Sequence, residues 1–351
     1  MKQILLLCIF CIGILTSCKQ DLEFEKPSDI KSPMDKIEYV VKDGVLSFNS
    51  SNDFFALGEL ILKMTPVQFS SWEKEIGFTS MRGEIQTAFE KLDTCTSIEE
   101  YQLILNQNSD ILKVENELES PVIKSAFYQC VTNRKGYYIV ADILHKITDE
   151  GLYTSNNDSF EFIETTVKSG AYLGSDKVQF LALKQQKLLK STNSPTSVWD
   201  KTNWINSRRC YAEIYLDQIW TGNDPRTFKY YVTCLSQSIG RTIIFTEKLY
   251  EANHYCDDFD AELHVPMYLH TGYGGPYYVY ENQSKTFSAE GPTSPTKTEK
   301  WINFELLANS ITVSQAIINQ IGIPEATILS AHGAFWTSGT GEDHKATLSY
   351  N

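Results

Sequence analysis

Residues 133–153 read NRKGYYIVADILHKITDEGLY, and this stretch decides the fold. An Asn-x-x-Gly turn at 133–136 opens it, and a largely apolar run follows over 137–147. Glu150-Gly151 then interrupts the run before Leu152-Tyr153. Short apolar runs bounded by turn residues are typical of β-hairpins. The stretch therefore predicts antiparallel strands in the middle of the chain.

The residues before this hairpin predict mostly helices. Asp43-Gly44 is a turn dipeptide between two short apolar runs and indicates a small first hairpin. Over residues 52–105 the apolar residues recur at spacings of three and four, which is the period of an α-helix. Thr65-Pro66 and Thr96-Ser97 are typical helix openings. Each predicted helix has one apolar stripe, so the helices must pack on one another or on a sheet.

The residues beyond a polar break at 191–195 predict β-strands. Clusters of Gly, Asn, Asp and Pro separate the strand-like runs, and this spacing favours an antiparallel sandwich or barrel. Residues 284–300, rich in Ser, Thr and Pro, predict a long loop. The expected fold class is α+β, with a mainly helical domain with β-hairpins over 37–190 and an antiparallel β domain over 196–351. The strand-like runs are 210–216, 228–234, 242–245, 262–269, 277–280 and 301–307.

The N-terminus has the composition of a targeting segment. Lys2 precedes an uninterrupted apolar run that is too short to span a bilayer, so residues 1–17 predict a signal peptide. Residues 18–36 are polar and show no apolar period, which indicates a tether.

Leu15-Thr16-Ser17-Cys18 resembles the lipobox of bacterial lipoproteins. The resemblance implies cleavage before Cys18 and acylation of its sulfur and amine, for example with palmitate. Several acyl chains anchor a protein stably, so the membrane is the first expected partner. The expected location is the outer membrane, facing the cell surface, with the periplasmic face as the alternative. An ordinary secreted protein cut at a small residue is the other interpretation.

A wider resemblance rests on three features together: the lipobox, the opening VVKDGVLSFNSSNDFFALGELI and the central stretch over 133–153. In this combination the chain resembles a group of uncharacterised Bacteroidetes surface lipoproteins. Those proteins have a helical N-terminal segment, an Asn-x-x-Gly hairpin and a β-rich C-terminal part. The resemblance covers residues 38–153 and implies an envelope location without an assigned activity.

The net charge and the cysteine content bear on the possible partners and on the possible disulfides. The formal net charge is −13, and no Lys/Arg-rich run of the kind that follows phosphates occurs, which argues against nucleic acid as a partner. Five cysteines remain after the signal peptide and Cys18, so a monomer keeps at least one free thiol. Buried free thiols are the expected state, and if a disulfide forms, Cys210 with Cys234 is the favoured pair. The five are Cys95, Cys130, Cys210, Cys234 and Cys256.

The densest cluster of metal-ligand residue types spans 253–264, with one further histidine soon after. Imidazole, thiol and carboxylate groups are the ligands of Zn²⁺ and Ca²⁺, so either ion is a candidate cofactor here. The spacing matches neither HExxH nor an EF-hand, and a solvated acidic loop is the alternative interpretation. The candidate metal ligands are His254, Asp257, Asp260 and His270.

Aromatic residues near glycines offer a candidate ligand-binding surface. Flat rings with a polar tip suit stacking on sugars or on a protein partner. Packing at an ordinary hairpin is the alternative. The candidate ligand-binding residues are Tyr273, Tyr277, Tyr278, Trp301 and Trp336.

Residues 332–344 contain His, Ser and Asp, but the chain has no GxSxG motif, so a β-turn between edge strands is expected there. The leading hypothesis is a noncatalytic protein that binds a glycan or an envelope protein at the cell surface. The alternative is a surface hydrolase that acts on glycan or peptide, with its site within 254–270. No catalytic residue is assigned.

Overall fold

The fold is described from a computed structural model. It covers residues 34–115, 118–156, 160–169, 178–182, 197–221, 225–241, 247–250, 252–271, 278–289, 301–314, 316–318 and 326–350. Within the strands, only the backbone is described for 181–182, 247–249, 257–259, 266–271, 278–289 and 301–309. The chain divides into Met1–Ile37 and Glu38–Asn351, and the helices and strands named below lie in the second unit. The signal peptide, Cys18 and most of the tether lie outside the described residues.

Six strands form the first sheet, in the order β1-β2-β5-β6-β7-β8. The two predicted hairpins are confirmed. Asp43 and Gly44 join β1 to β2 with positive φ angles of 52° and 72°, and Ala141 and Asp142 join β5 to β6 at 47° and 61°. Neighbours pair antiparallel except β2 and β5, which pair in parallel. The strands are β1 (Tyr39–Lys42), β2 (Val45–Phe48), β5 (Tyr137–Val140), β6 (Ile143–Ile147), β7 (Gly151–Ser155) and β8 (Val178–Ala182).

Helices fill the connection between β2 and β5. Thr65 and Gln68 form a capping box at the second of them, and Ser97 accepts a hydrogen bond from Glu100 N at the fourth, as the predicted openings require. A short hairpin of β3 (Leu112–Glu115) and β4 (Leu118–Pro121) precedes the fifth. The helices are α1 (Ser51–Leu62), α2 (Pro66–Ile76), α3 (Met81–Thr94), α4 (Ile98–Gln107), α5 (Ala126–Val131) and, after β7, α6 (Phe160–Ser169).

Aromatic rings hold α1 and α5 against one face of the first sheet. The Phe54 ring on α1 stacks on Tyr138 of β5, with centroids 4.9 Å apart, and meets Phe127 of α5 at 5.1 Å. Gly58 allows the two helices to approach, because a Cβ there would lie 2.2 Å from the Phe127 ring. On the opposite face of the sheet, Ile163 of α6 is fully buried.

Two antiparallel sheets form the C-terminal half. One has the order β12-β11-β10-β9, with β15 also paired to β11, and the other has the order β14-β13-β16-β17. Hydrogen bonds connect the sheets: His254 of β13 bonds the hydroxyls of Ser236 and Ser238 on β11. The strands are β9 (Ser197–Lys201), β10 (Arg208–Trp220), β11 (Arg226–Arg241), β12 (Glu247–Leu249), β13 (His254–Thr271), β14 (Tyr278–Ala289), β15 (Trp301–Val313), β16 (Thr327–Thr337) and β17 (Ala346–Tyr350).

The predicted α+β class is confirmed, with helices mostly N-terminal and antiparallel sheets C-terminal. Two local expectations were wrong. The acidic segment 253–264 is not a loop, because β13 runs through it from His254, and the predicted loop at 284–300 is a strand as far as Ala289. The proposed boundary at 190–196 lies outside the described residues and stays a prediction. None of the described helices is both long and apolar enough to span a bilayer.

The favoured disulfide was also wrong. Cys210 and Cys234 do lie on adjacent strands, but Cys210 pairs in register with Ser238, four residues along β11 from Cys234. All five cysteines named above are buried, and none of them forms a disulfide. Burial raises the pKa of Cys210 to about 12, so this thiol stays protonated and unreactive at neutral pH.

A buried tyrosine joins the helical part to the β part. The Tyr128 hydroxyl on α5 accepts a hydrogen bond from Trp220 N at 3.2 Å and lies 3.4 Å from Trp220 O, to which it donates. Both residues are almost fully buried. Nearby, Glu59 of α1 accepts from Lys229 and Tyr231 of β11. The helical layer therefore has one fixed position on the second sheet.

The side chains of Asp217 and His145 are both buried in this region. Burial raises the pKa of Asp217 to about 7, above the ~3.9 of an unfolded aspartate. Between these values the folded state holds a proton that the unfolded state lacks. Burial lowers the pKa of His145 to about 3, below the ~6.5 of an unfolded histidine. There the unfolded state holds the extra proton, so the two groups oppose each other in the pH dependence of stability.

We expect Asp217→Asn to lose stability relative to wild type as the pH falls from about 6.5 to 4, by about 1.4 kcal/mol per pH unit at most. The reason is that His145 alone still takes up a proton on unfolding. His145→Gln should gain stability relative to wild type over the same interval. Urea denaturation at stepped pH measures both differences. Parallel stability curves for all three proteins would contradict the shifted pKa values.

Candidate functional site

A small cleft, with a cavity volume of about 60 Å³, lies between α3 and the second sheet. Its floor is formed by β10 and β11, and its other wall by the segment from the end of β4 into α5. The helix α3, the floor strands and the segment from β4 into α5 are distant from one another in the sequence, so the cleft exists only in the folded protein. The residues that line it are Arg82, Ile85, Phe89, Ser120, Pro121, Lys124, Ala126, Gln129, Glu213, Tyr215, Leu235 and Gln237.

A buried carboxylate is the main polar group of the cleft floor. The Glu213 side chain is only 3% exposed, and Lys124 Nζ lies 3.1 Å from its Oε1. Tyr211 donates its hydroxyl hydrogen to Glu213 Oε2 at 3.0 Å. Since each carboxylate oxygen has two lone pairs, Glu213 keeps the capacity to accept a hydrogen bond from a ligand.

Four further polar side chains line the cleft: Arg82, Ser120, Gln129 and Gln237. The Arg82 guanidinium lies 4.9 Å from the Phe69 ring centroid and donates to Cys130 Sγ at 3.7 Å. Among the described residues no carboxylate pairs with Arg82. Gln129 donates its amide to the Ile123 carbonyl at 2.7 Å, which leaves the Gln129 side-chain oxygen as an acceptor.

Apolar and aromatic surface completes the lining. Ile85 and Phe89 of α3 are almost completely buried, and the Tyr215 hydroxyl donates to the Lys124 carbonyl at 3.1 Å. The lining carries two cations and one carboxylate in a chain with a net charge of −13. An apolar cleft with a few convergent polar groups is the usual form of a small-ligand site.

The candidate metal ligands are only partly described. His254 is buried with its Nδ1 2.9 Å from Ser236 Oγ and its Nε2 2.9 Å from Ser238 Oγ, so both ring nitrogens already have partners. Asp257 and His270 lie on β13, but their side chains are outside the described part of the chain. Over the ranges that the structure describes, no three His, Cys, Asp or Glu side chains are grouped to hold a metal ion. A Ca²⁺ or Zn²⁺ site therefore stays a prediction.

The remaining candidate ligand, Asp260, faces outward on β13. Its Oδ2 lies 3.2 Å from His332 Nδ1 on β16, and Ser349 of β17 is the register partner of His332. In the described part of the chain no hydrogen bond joins His332 to Ser349, so this row lacks the contact between base and nucleophile that a triad needs. The hydrolase hypothesis stays a prediction. The expected turn after His332 is confirmed, between β16 and β17.

Most side chains of the predicted aromatic surface lie outside the described part of the chain. Tyr273 and Tyr277 fall in an undescribed segment, and for Tyr278 and Trp301 only the backbone is described. Trp301 is the register partner of the cleft residue Gln237 on β11.

Trp336 is the one member of that surface whose side chain is described. It is partly exposed on β16, its ring stacks on Tyr255 with centroids 5.2 Å apart, and Lys345 Nζ lies 4.4 Å from its centroid. A ligand-binding role for this set of residues stays a prediction.

No signal in the sequence indicates the cleft. The helical period places Ile85 and Phe89 in an apolar stripe that packs into the core, and both are indeed buried. Lys124 and Glu213 lie 89 positions apart in the chain and belong to no motif, so no local pattern could have paired them.

We expect Lys124→Met to destabilise the protein by about 1–3 kcal/mol, because Glu213 would keep a buried charge with Tyr211 as its remaining named partner. Adding Glu213→Gln to Lys124→Met should recover part of that loss. Denaturant unfolding of both single variants and the double variant gives the coupling energy. Lys63→Met is the control, since that lysine is exposed and lies outside the cleft. Strictly additive effects at 124 and 213 would contradict the coupling.

Comparisons with known proteins add one weak neighbour. No family model matches the chain, and no curated protein matches it. The chain is similar to the crystal structure of a DUF4848 family protein from Bacteroides thetaiotaomicron VPI-5482, with 12% sequence identity and a TM-score of 0.30. The match covers 89% of this chain and 99% of that chain. At this TM-score the similarity carries no argument about the cleft.

Proposed function

We propose that this chain is an outer-membrane lipoprotein, anchored through lipid on Cys18 and facing the cell surface, that binds a ligand noncatalytically. The cleft between α3 and the β10–β11 floor is the proposed binding site. The observation that carries the binding role is the Lys124–Glu213 pair, held at 3.1 Å in a cleft whose lining combines apolar side chains with other polar groups. The support for the anchor is the order of residues 1–18 in the sequence.

The lining indicates the chemistry of the ligand. Ile85, Phe89 and Leu235 offer apolar contact, while Arg82 and Glu213 offer a donor and an acceptor. A small ligand with both an apolar surface and several hydrogen-bonding groups fits this combination. A strongly cationic ligand does not fit, because the lining already carries an excess of positive charge.

The anchor is tested by Cys18→Ala. We expect the wild-type chain to incorporate an alkyne analogue of palmitate and to fractionate with membranes, and the variant to do neither, because the acylated sulfur is gone. Cys11→Ala is the matched control, since it removes a cysteine from the apolar run and should leave labelling intact. A Cys18→Ala chain that stays in the membrane fraction would overturn the anchor.

The binding role is tested by filling the cleft of the full chain purified in detergent. A fragment library of monocarboxylates, amides and polyols is screened by ligand-observed NMR. We expect the fragments that bind wild type to lose binding to Leu235→Trp, because the larger side chain occupies the floor. Val114→Trp adds the same side chain at an exposed position outside the cleft and should leave binding unchanged. Equal binding to Leu235→Trp, or no binding to wild type, would refute the proposal.

A further inference from the structure

An exposed tryptophan lies directly beside the cleft floor. Trp199 of β9 is the register partner of Glu213 on β10, which is in turn the partner of Leu235 on β11. Directly opposed residues in an antiparallel pair lie on the same face of the sheet. Trp199 therefore extends the row formed by Glu213 and Leu235 to the edge strand, although it does not itself line the cleft.

The Trp199 ring is held in place by its neighbour. It stacks on Tyr211, with centroids 5.9 Å apart and an interplanar angle of 22°. The Tyr211 hydroxyl in turn donates to Glu213. One chain of contacts thus connects the tryptophan ring to the buried carboxylate, so the position of the ring relative to the cleft is fixed.

A second tryptophan–tyrosine stack shows what distinguishes this one. Trp336 stacks on Tyr255 and also has the Lys345 ammonium 4.4 Å from its centroid. Trp199 is 44% exposed, and within the described residues Tyr211 is its one ring or cation contact. Trp199 therefore presents free aromatic surface next to hydrogen-bonding groups.

We propose that the ligand of this cleft is a carbohydrate, with one sugar ring stacked on Trp199 and its hydroxyl groups bonded within the cleft. A pyranose ring has an apolar C–H face and a rim of hydroxyl groups. An exposed indole ring suits the face, and planar polar side chains suit the rim. Glu213, Gln129 and Arg82 supply an acceptor, a second acceptor and a donor at the cleft. This inference rests on the cleft being the binding site.

The test is calorimetric titration of the purified full chain with a defined set of oligosaccharides: maltohexaose, cellohexaose, xylohexaose, chitotetraose and a galacturonic acid hexamer. We expect at least one to bind. Trp199→Leu should weaken that binding about tenfold or more, because an aliphatic side chain of moderate size cannot replace the flat ring. Trp199→Phe keeps a flat ring and should stay within about threefold of wild type. Phe162→Leu is the matched control, because it removes an exposed ring on α6, outside the cleft, and should bind as wild type does.

Circular dichroism confirms that each variant is folded before it is titrated. The carbohydrate assignment is overturned if no oligosaccharide binds, if Trp199→Leu binds as tightly as wild type, or if Phe162→Leu loses as much binding as Trp199→Leu. These failures differ from failure of the cleft itself. Fragments that bind wild type but not Leu235→Trp, together with no oligosaccharide binding, would keep the cleft and remove the carbohydrate.

Discussion

The position of Tyr128 is the constraint on which the rest of the structure depends. Its hydroxyl accepts a hydrogen bond from the backbone N–H of Trp220 and donates one to the Trp220 carbonyl. A side chain on α5 thus makes the two hydrogen bonds that a neighbouring strand would otherwise make with Trp220. A buried polar group left without a partner costs about 1–3 kcal/mol. Moving α5 along β10 would leave three groups without partners: the Tyr128 hydroxyl and the N–H and carbonyl of Trp220. Since the segment leading into α5 forms one wall of the cleft and β10 forms its floor, this contact sets the width of the cleft.

Polar contacts strengthen the same joint on both sides. Lys229 and Tyr231 of β11 hold Glu59 of α1, and Lys124 holds Glu213 of β10. Apolar contacts alone would tolerate small sliding movements, because dispersion and hydrophobic burial have little directional preference. Hydrogen bonds and ion pairs do have such a preference. These directional contacts therefore fix where the helices lie along the strands, in addition to the apolar area that they bury.

The sequence predicts local structure well where one signal dominates. Helices start after Thr65 and Ser97 as predicted, because the hydroxyl groups of these two residues accept hydrogen bonds from N–H groups of the first turn. The prediction fails over 253–264 because β13 is irregular there. Its pairing with β16 shifts between Asp257 and Asp260, so the alternation that identifies a strand is broken and the acidic residues resemble a loop. The site was beyond prediction for another reason. Trp199 and Lys124 reach the neighbourhood of Glu213 from β9 and from the N-terminal half, and only the folded register brings them together.

The parallel pairing of β2 with β5 determines the order in which the chain can fold. Ser47 and Phe48 pair with Ile139 and Val140, and five helices and the β3–β4 hairpin lie between these partners. During synthesis, β1 and β2 emerge long before β5 exists, so their second edge stays unpaired while the helices form. Contacts between distant residues slow folding, because loop-closure entropy is lost before they form. The helices α1 to α4 should therefore assemble first and serve as the surface on which the central sheet is completed.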